Sequence, residues 1–510
     1  MQNKNPSIMM FAQRVLLLIR FTRCVCVLLS FMSMDLHAQN LWRSALDYGA
    51  VAHKDTNSTA ALQAAIDDLN RRGGGTVYFP SGNYLSGQLY LKSNVNFFFE
   101  TNATLYASQD PDDYPKRSGE YRADNQSAMP NELALFYGDS VRNVGFFGKG
   151  RLHGQAVRVW EPLREVDMFI AAETENARKA GIPMERYYVL EPKIRLICID
   201  NASNLTFRDI TLEESPDWTL HLGNAFNVVI DGVTILSNLD KGVNADGIDI
   251  DGCRNVRISN CYIATGDDAI CLKSTMRKGL SYPCEDIVVN NCTLISTSTA
   301  LKIGTESHGN FNNIIFSNCV IRNTNRGISI VVRDGAVVEH VYFTNLIIEC
   351  NRKNFFWWGD GDPIRFILLK RTPKSRLGII RNIFLQNITA TGMGSSLIQG
   401  YEGRPLENIV LDNVRLTLLP ETRPDKRATD VLQIRQANGV TLRHVSLGWQ
   451  YENKEPLWRA ALWAELIDGL HLQWLQVKKH WKKNGWLSLH KVTNLQVDGN
   501  IPEAEWMKTK

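Results

Sequence analysis

Residues 246–274 read DGIDIDGCRNVRISNCYIATGDDAICLKS, and the phrase ISNCYI (258–263) at their centre decides the fold. The same phrase recurs as FRDITL (207–212), IDGVTI (230–235), VNNCTL (289–294), FSNCVI (316–321), FTNLII (343–348), LQNITA (385–390) and LDNVRL (411–416). Its third residues are Asp209, Gly232, Asn260, Asn291, Asn318, Asn345, Asn387 and Asn413. Most intervals lie between 23 and 31 residues, with one of 42 that holds WWGDGDP (357–363). Such a period, carried by short strands without helices, marks a solenoid in which each coil adds a rung to parallel sheets. The expected fold is all-β, a single-stranded right-handed parallel β-helix. Asn at one place in successive coils suits a left-handed turn, and stacked amides can bond along the ladder.

A second register bears on function. The apolar pairs Leu220/Leu222, Ile248/Ile250, Ile270/Leu272, Leu301/Ile303 and Ile328/Ile330 follow one another at 28, 22, 31 and 27 residues. Strand alternation puts the pairs inside and His221, Asp249, Cys271, Lys302 and Ser329 outside. Two positions before each pair stand Trp218, Asp246, Asp268, Thr299 and Arg326, a further column where the chain approaches the strand. Neighbouring coils lie about 4.8 Å apart, so members of one column are close in space.

Outside the coils the sequence changes character. Thr59 to Ile66 has helical apolar spacing and Gly73-Gly74-Gly75 ends it, which predicts a helix capping the open end of the solenoid. Segments 108–135 and 155–195 break the rhythm and read as loops, the second partly helical. The β-helix is expected over 39–450, with 451–510 as last coils and a C-terminal cap. Arg14, Arg20 and Arg23 before the apolar run Cys24–Met34, then Leu36-His37-Ala38, read as a signal peptide over 1–38, with an uncleaved anchor as the alternative. This implies a secreted or periplasmic protein with no integral membrane span. Net charge is +4, and about +1 without the leader, which gives no reason to expect nucleic acid. The basic run Lys478, Lys479, Lys482 and Lys483 reads as a solvated face. Cys261, Cys292 and Cys319 follow the repeated Asn in three coils; lacking a CxxC pair or a histidine, they read as a buried column rather than a zinc site.

Asp246 and Asp268 are 22 residues apart, one coil, in one column, and Asp267 adjoins the second. Consecutive strand residues point oppositely, so Asp267 and Asp268 can share a cleft only at a turn, which Gly266 supplies. Glycoside hydrolysis needs one protonated and one ionised carboxyl, and crowding like charges raises the proton affinity of one member. Structural Asx turns and a calcium site are the competing readings of the same carboxylates.

These residues are where the sequence resembles glycoside hydrolase family 28, the polygalacturonases and rhamnogalacturonan hydrolases, over roughly Leu46 to Leu416. DYGAVAHKDTNSTAALQAAI (47–66) and GGGTVYFPSGNYLSGQLYLKSNV (73–95) look like the opening shared by pectin lyase-like β-helix proteins. SPDWTLHL (215–222), NADGIDID (244–251) and GDDAICLKS (266–274), in order and at coil spacing, are more specific. The resemblance implies a secreted hydrolase of a pectic polysaccharide that inverts the anomeric centre. In it Asp267 would be the general acid, while Asp246 and Asp268 would hold and activate water. Acid and base should then stand far enough apart to admit that water. No cofactor or metal is called for, and a monomer is the working expectation.

Two signatures of that family are missing. A histidine in a Gly-His-Gly setting is replaced by Thr299 in STALKIG, and an Arg-Ile-Lys signature by Ser329 and Val331 in GISIVV. Their cations serve a substrate carboxylate, so plain polygalacturonate is less favoured. Replacement contacts are sought in Lys302, Arg326, His308, Arg333 and Glu306, with His221 as either structural or substrate-facing. Trp357 and Trp358 could stack on sugar faces or cap the core. The rival functions are a β-helix polysaccharide lyase and a non-catalytic carbohydrate-binding or adhesive β-helix.

Overall fold

The computed structural model describes residues 41–116, 133–162, 175, 177–179, 181, 185–353, 359–423, 426–450, 455–478, 486–499 and 506–509. The leader segment, Trp357 and Trp358 therefore lie outside the described residues. Apart from one antiparallel ribbon, the strands pair in parallel from coil to coil and wind into a right-handed β-helix with three sheet faces.

The face that carries the functional residues runs through Arg195–Asp200, Leu220–Gly223, Ile248–Asp251, Ile270–Ser274, Thr299–Ser307, Arg326–Val332 and Asp362–Leu368. Its register is the one read from the apolar pairs: Leu220 opposes Ile248, Ile248 opposes Ile270, Ile270 opposes Leu301 and Leu301 opposes Ile328. All ten members of those pairs are buried. Burial of one such side chain contributes about 1.5–3 kcal/mol, so the column is a main source of cohesion. On a neighbouring face aromatic rings stack in the core, Phe97 on Phe146 at 4.9 Å and Phe146 on Phe207 at 5.4 Å.

The repeated third residues all take left-handed backbone, with φ between 53° and 65° from Asp209 to Asn413. Their amides also form the expected ladder: Asn413 donates to Asn387 at 2.9 Å, Asn387 to Asn345 at 3.0 Å, and Asn345 to Asn318 at 3.0 Å. A second left-handed column that the repeat phrase did not reveal runs beside it, with Asn204 bonded to Asn143 and Asn227 to Asn204, both at 2.8 Å.

The helix α1 (Thr59–Arg71) forms where the spacing predicts it and packs Leu62, Ala65, Ile66 and Leu69 onto the first coils. It stops at the glycine run because a side chain at Gly74 would meet the Asn94 carbonyl at 2.6 Å, with φ at 135°. The described part of 155–195 contains an antiparallel ribbon of Arg158–Pro162 against Glu185–Val189, besides helical backbone at 175 and 177–179. Parallel pairing continues past residue 450, through Leu462–Gln473 and Leu487–Thr493 to Trp506–Thr509. Cys261, Cys292 and Cys319 are buried free thiols, each donating to the carbonyl two residues earlier at 3.2 Å.

Candidate active site

The outward column departs from the simple reading of alternation. His221, Asp249, Cys271, Lys302 and Ser329 share one register and point away from the core, yet all but Lys302 are fully covered. The cover comes from distant chain. Arg277 reaches back from the loop after Ile270–Ser274 to pair with Asp200 and with Asp251 at 2.9 Å. His221 sits between Arg195, 2.9 Å from its Nδ1, and Arg277, 2.8 Å from its Nε2. Burial, then the Arg195 charge, pushes the imidazole well below its usual range, so it stays neutral. His221 thus has no exposed surface, which favours the structural one of its two readings.

Asp246, Asp267 and Asp268 meet where the chain turns into this sheet, each contributing a carboxylate oxygen to a set lying within 4.8 Å of one another. Each keeps only 2–4 % of its surface exposed. Gly266 is required, though for close approach rather than for a left-handed turn: a Cβ there would meet Asn238 O and Gly242 Cα, both at 2.4 Å. Hydroxyls fasten the bend, Ser296 Oγ donating to Asp267 O at 2.7 Å and Thr297 Oγ1 to Gly266 O at 2.6 Å. Asp267 accepts from Asn244 N at 3.1 Å and from Asp268 N at 2.9 Å.

Two lysines divide the trio. Lys302 Nζ lies 2.5 Å from Asp268 Oδ2, and Ser298 Oγ donates to Asp268 Oδ1 at 2.9 Å. Lys273 Nζ lies 3.1 Å from Asp246 and 2.9 Å from Asp249, beneath the Trp218 ring at 3.6 Å from its centroid. Asp267 forms no ion pair with either. Burial, reinforced by Asp246 and Asp268, pushes its carboxyl well above the usual carboxylate range. For Asp268 burial also acts upward, but Lys302 and Lys273 outweigh it and hold the carboxyl below its ordinary value. Asp246 is pushed up to about 6 by burial, opposed by Lys273. Buried Asp249 is raised well above the ordinary value for the same first reason. Within the trio, the Asp267 carboxyl is thus pushed well up while its neighbour Asp268 is held down. The same oxygens could chelate a divalent cation, but ammonium groups already occupy faces of Asp246 and Asp268.

The other expected contacts are distributed around this centre. Arg326 is buried and bonded to Asp362 at 2.9 Å, and His308 stands 3.9 Å from Asp334. Arg333 anchors through its backbone N–H to Ser307 Oγ at 2.9 Å. Glu306 faces Arg371 at 3.5 Å. Lys273, Asp249, Asp251 and Arg277 were not singled out from sequence as site residues. The alternation held the signal for three of them, since Asp249 stands in the outward column and Lys273 and Asp251 stand two residues beyond Cys271 and Asp249 and face the same way.

Comparisons with known proteins bear on the family and the fold. The sequence profile described as glycosyl hydrolases family 28 matches residues 74–431. A probable polygalacturonase of Vitis vinifera is 29 % identical over 281 residues, 53 % of this chain and 53 % of its own length. An endo-polygalacturonase of Pectobacterium carotovorum is 24 % identical over 50 % of this chain and 60 % of its own. The chain thus spans about half the length of the curated relatives it matches. Among solved structures, a hyperthermoactive exopolygalacturonase from Thermotoga maritima superposes with a TM-score of 0.61 at 20 % identity, covering 80 % of this chain and 91 % of that one. A family 28 exopolygalacturonase of Yersinia enterocolitica gives 0.56 at 18 %, covering 91 % and 79 %. At that identity the superpositions establish the fold, a right-handed parallel β-helix.

Proposed function

The chain belongs to glycosyl hydrolases family 28, and from that premise we propose that it is a secreted hydrolase of glycosidic bonds in a pectic polysaccharide. The observation that carries this reading is the split in proton affinity among three carboxylates that nearly touch. Asp267 keeps its proton and donates it to the leaving glycosidic oxygen, as general acid catalysis requires. Asp268, ionised beside Lys302, and Asp246, ionised above about 6, hold the attacking water between them. A water sits about 2.8 Å from each acceptor, so oxygens within 4.8 Å can share one.

The trio is tighter than the gap of about 6.5–9.5 Å usual between acid and base in inverting enzymes. The room expected for water directly between acid and base is therefore narrow, and the water belongs beside the trio, on Asp246 and Asp268. Attack from there, opposite the leaving oxygen, inverts the anomeric centre. A lyase would instead abstract a proton from a uronate and release an unsaturated sugar, with no need for a protonated carboxyl at Asp267. A purely adhesive β-helix would not depend on these carboxylates.

The test is Asp267→Asn, assayed on homogalacturonan, rhamnogalacturonan and pectic oligosaccharides. Release of reducing ends should vanish while circular dichroism stays unchanged, and no unsaturated product should form with the unaltered protein. Full activity in the variant, or a first-formed product with retained anomeric configuration, would reject the mechanism. Product sizes from a long substrate decide between chain-end and internal attack.

A further inference from the structure

The segment 155–195, which interrupts the coil rhythm, grips two loops that lead into the aspartate face. These are 215–218 and 243–246, in successive coils, and they carry Trp218 and Asp246. At its first end the segment lies tight on the upper loop. A Cβ at Gly154 would meet Glu214 O at 2.4 Å and Pro216 Cδ at 2.7 Å, and Ala156 N donates to Glu214 O at 3.2 Å. Arg158, buried in the ribbon, then reaches both loops, its Nη2 donating to Ser215 O at 2.5 Å and its Nη1 to Val243 O at 3.5 Å. Burying a guanidinium is costly, and the charges of Glu214 and Asp217 oppose that cost here. Its Nε has no partner among the described residues.

The other end of the segment reaches the same two loops through Lys193. Its Nζ donates to Asn244 Oδ1 at 3.3 Å and lies 3.7 Å from Asp217 Oδ1. Main-chain bonds tie the loops further, Asp217 N donating to Ile194 O at 3.0 Å and Thr219 N to Asp246 O at 2.8 Å. Asn244 has left-handed backbone, with φ at 58°, which a residue other than glycine keeps only where its surroundings fix it. Its N–H donates to Asp267 Oδ2 at 3.1 Å. The contacts of Arg158 and Lys193 therefore fall on the residue that holds this carboxyl and on the residue before it.

We propose that Arg158 and Lys193 are positioning residues for Asp267, bracing the 243–246 loop so that the Asn244 N–H stays aimed at Asp267 Oδ2. That donor fixes the direction in which the carboxyl faces. It also favours the ionised form, and so opposes the burial that pushes the group up. Without it Asp267 would be a weaker acid and a slower proton donor. What Asp267 does with its proton rests on the hydrolase reading, whereas the brace is a property of the fold and is testable apart from it.

The experiment compares Arg158→Met, Arg158→Lys and Lys193→Met with the unaltered full chain. It reads kcat/KM against pH on the pectic fraction that the protein cleaves, amide exchange by mass spectrometry over 242–247, and thermal melting. Each methionine variant should lose about tenfold in kcat, exchange the Asn244 amide about tenfold faster and move the alkaline limb up by about one pH unit. Arg158→Lys, which can still reach one carbonyl, should fall between. The Lys193 side chain is 18 % exposed, so Lys193→Met keeps the test open should the buried Arg158 be needed for folding. Asn244→Gly keeps the turn and the N–H but removes Oδ1, so adding Lys193→Met to it should change little further. A lower melting temperature with the alkaline limb and the Asn244 exchange unmoved would overturn the proposal, as would full additivity of Lys193→Met with Asn244→Gly. Faster exchange at Asn244 in variants of a protein whose unaltered form cleaves no pectic fraction would instead reject the hydrolase reading and leave the brace standing.

Discussion

Replacing Lys273 by methionine keeps the reach of the side chain and removes its charge. The ammonium lies 3.1 Å from Asp246 and 2.9 Å from Asp249. A hydrogen bond to a charged group contributes about 1.5–3 kcal/mol, and one pKa unit corresponds to about 1.36 kcal/mol. Losing the contact to Asp246 should therefore raise the pH at which that carboxyl takes its proton by about one to two units, from a starting point of about 6. On the proposed mechanism Asp246 works ionised, so the acidic limb of kcat/KM against pH should move towards neutrality by the same amount. The alkaline limb, set by loss of the Asp267 proton, should stay within reach of its old position, and the bell should narrow. Below the original acidic limb the activity should fall by about ten- to a hundredfold. A uniform loss at every pH, with the acidic limb unmoved, would refute the assignment of Lys273 as the group that positions and ionises Asp246.

The same variant has a stability signature of definite sign. Asp249 is fully buried and its carboxyl is already raised by burial. With Lys273 gone its protonated form is tolerated and its ionised form is not. Stability is then retained at low pH and lost as pH rises through the folded-state value, by up to about 3–5 kcal/mol once the buried charge stands alone. Thermal melts should show the variant close to the unaltered protein in acid and well below it in alkali.

Lys302→Met should lower kcat by about ten- to a hundredfold, since Asp268 loses its charged partner at 2.5 Å, while Lys302→Arg restores part of it; unchanged kcat would remove Lys302 from the machinery. Asn387→Ala should lower stability by about 2 kcal/mol through a strained left-handed residue and two lost ladder bonds, and Asn387→Gly, which accepts the same φ of 55°, should be milder. Equal melting temperatures for the two variants would show that backbone conformation contributes nothing there.

The coils were legible because two periodicities coincide. Alternation fixed which of Ile248, Asp249 and Ile250 faces the core, and the coil repeat fixed their neighbours. The first left-handed column was legible because Asn recurs in it with few substitutions. The second was not, since Asp286, His340 and Gly439 break its Asn identity while keeping φ positive. Arg326 shows a different limit. Its column was correct, but its partner Asp362 belongs to the next coil, 36 residues on and across the long step in the repeat, so a position in register did not reveal that the charge was taken.

Alternation tells which way a side chain points but not what lies above it. Asp249 and His221 point outward and are nonetheless as buried as the core, because Arg277 and Arg195 close on His221 from other coils and Lys273 lies against Asp249. That cover gives the aspartates their chemistry. In water, three carboxyls side by side would all ionise at neutral pH. Under a dry roof, burial becomes the first cause of every shift, and the placement of two ammonium groups decides which carboxyl yields to it. Asp267 is the member of the trio without an ammonium partner, and so the one whose carboxyl is pushed well above the usual range, as the proposed general acid requires. The motif supplies three acids of equal ordinary strength; the difference between them is made by Lys273, Lys302 and the exclusion of water.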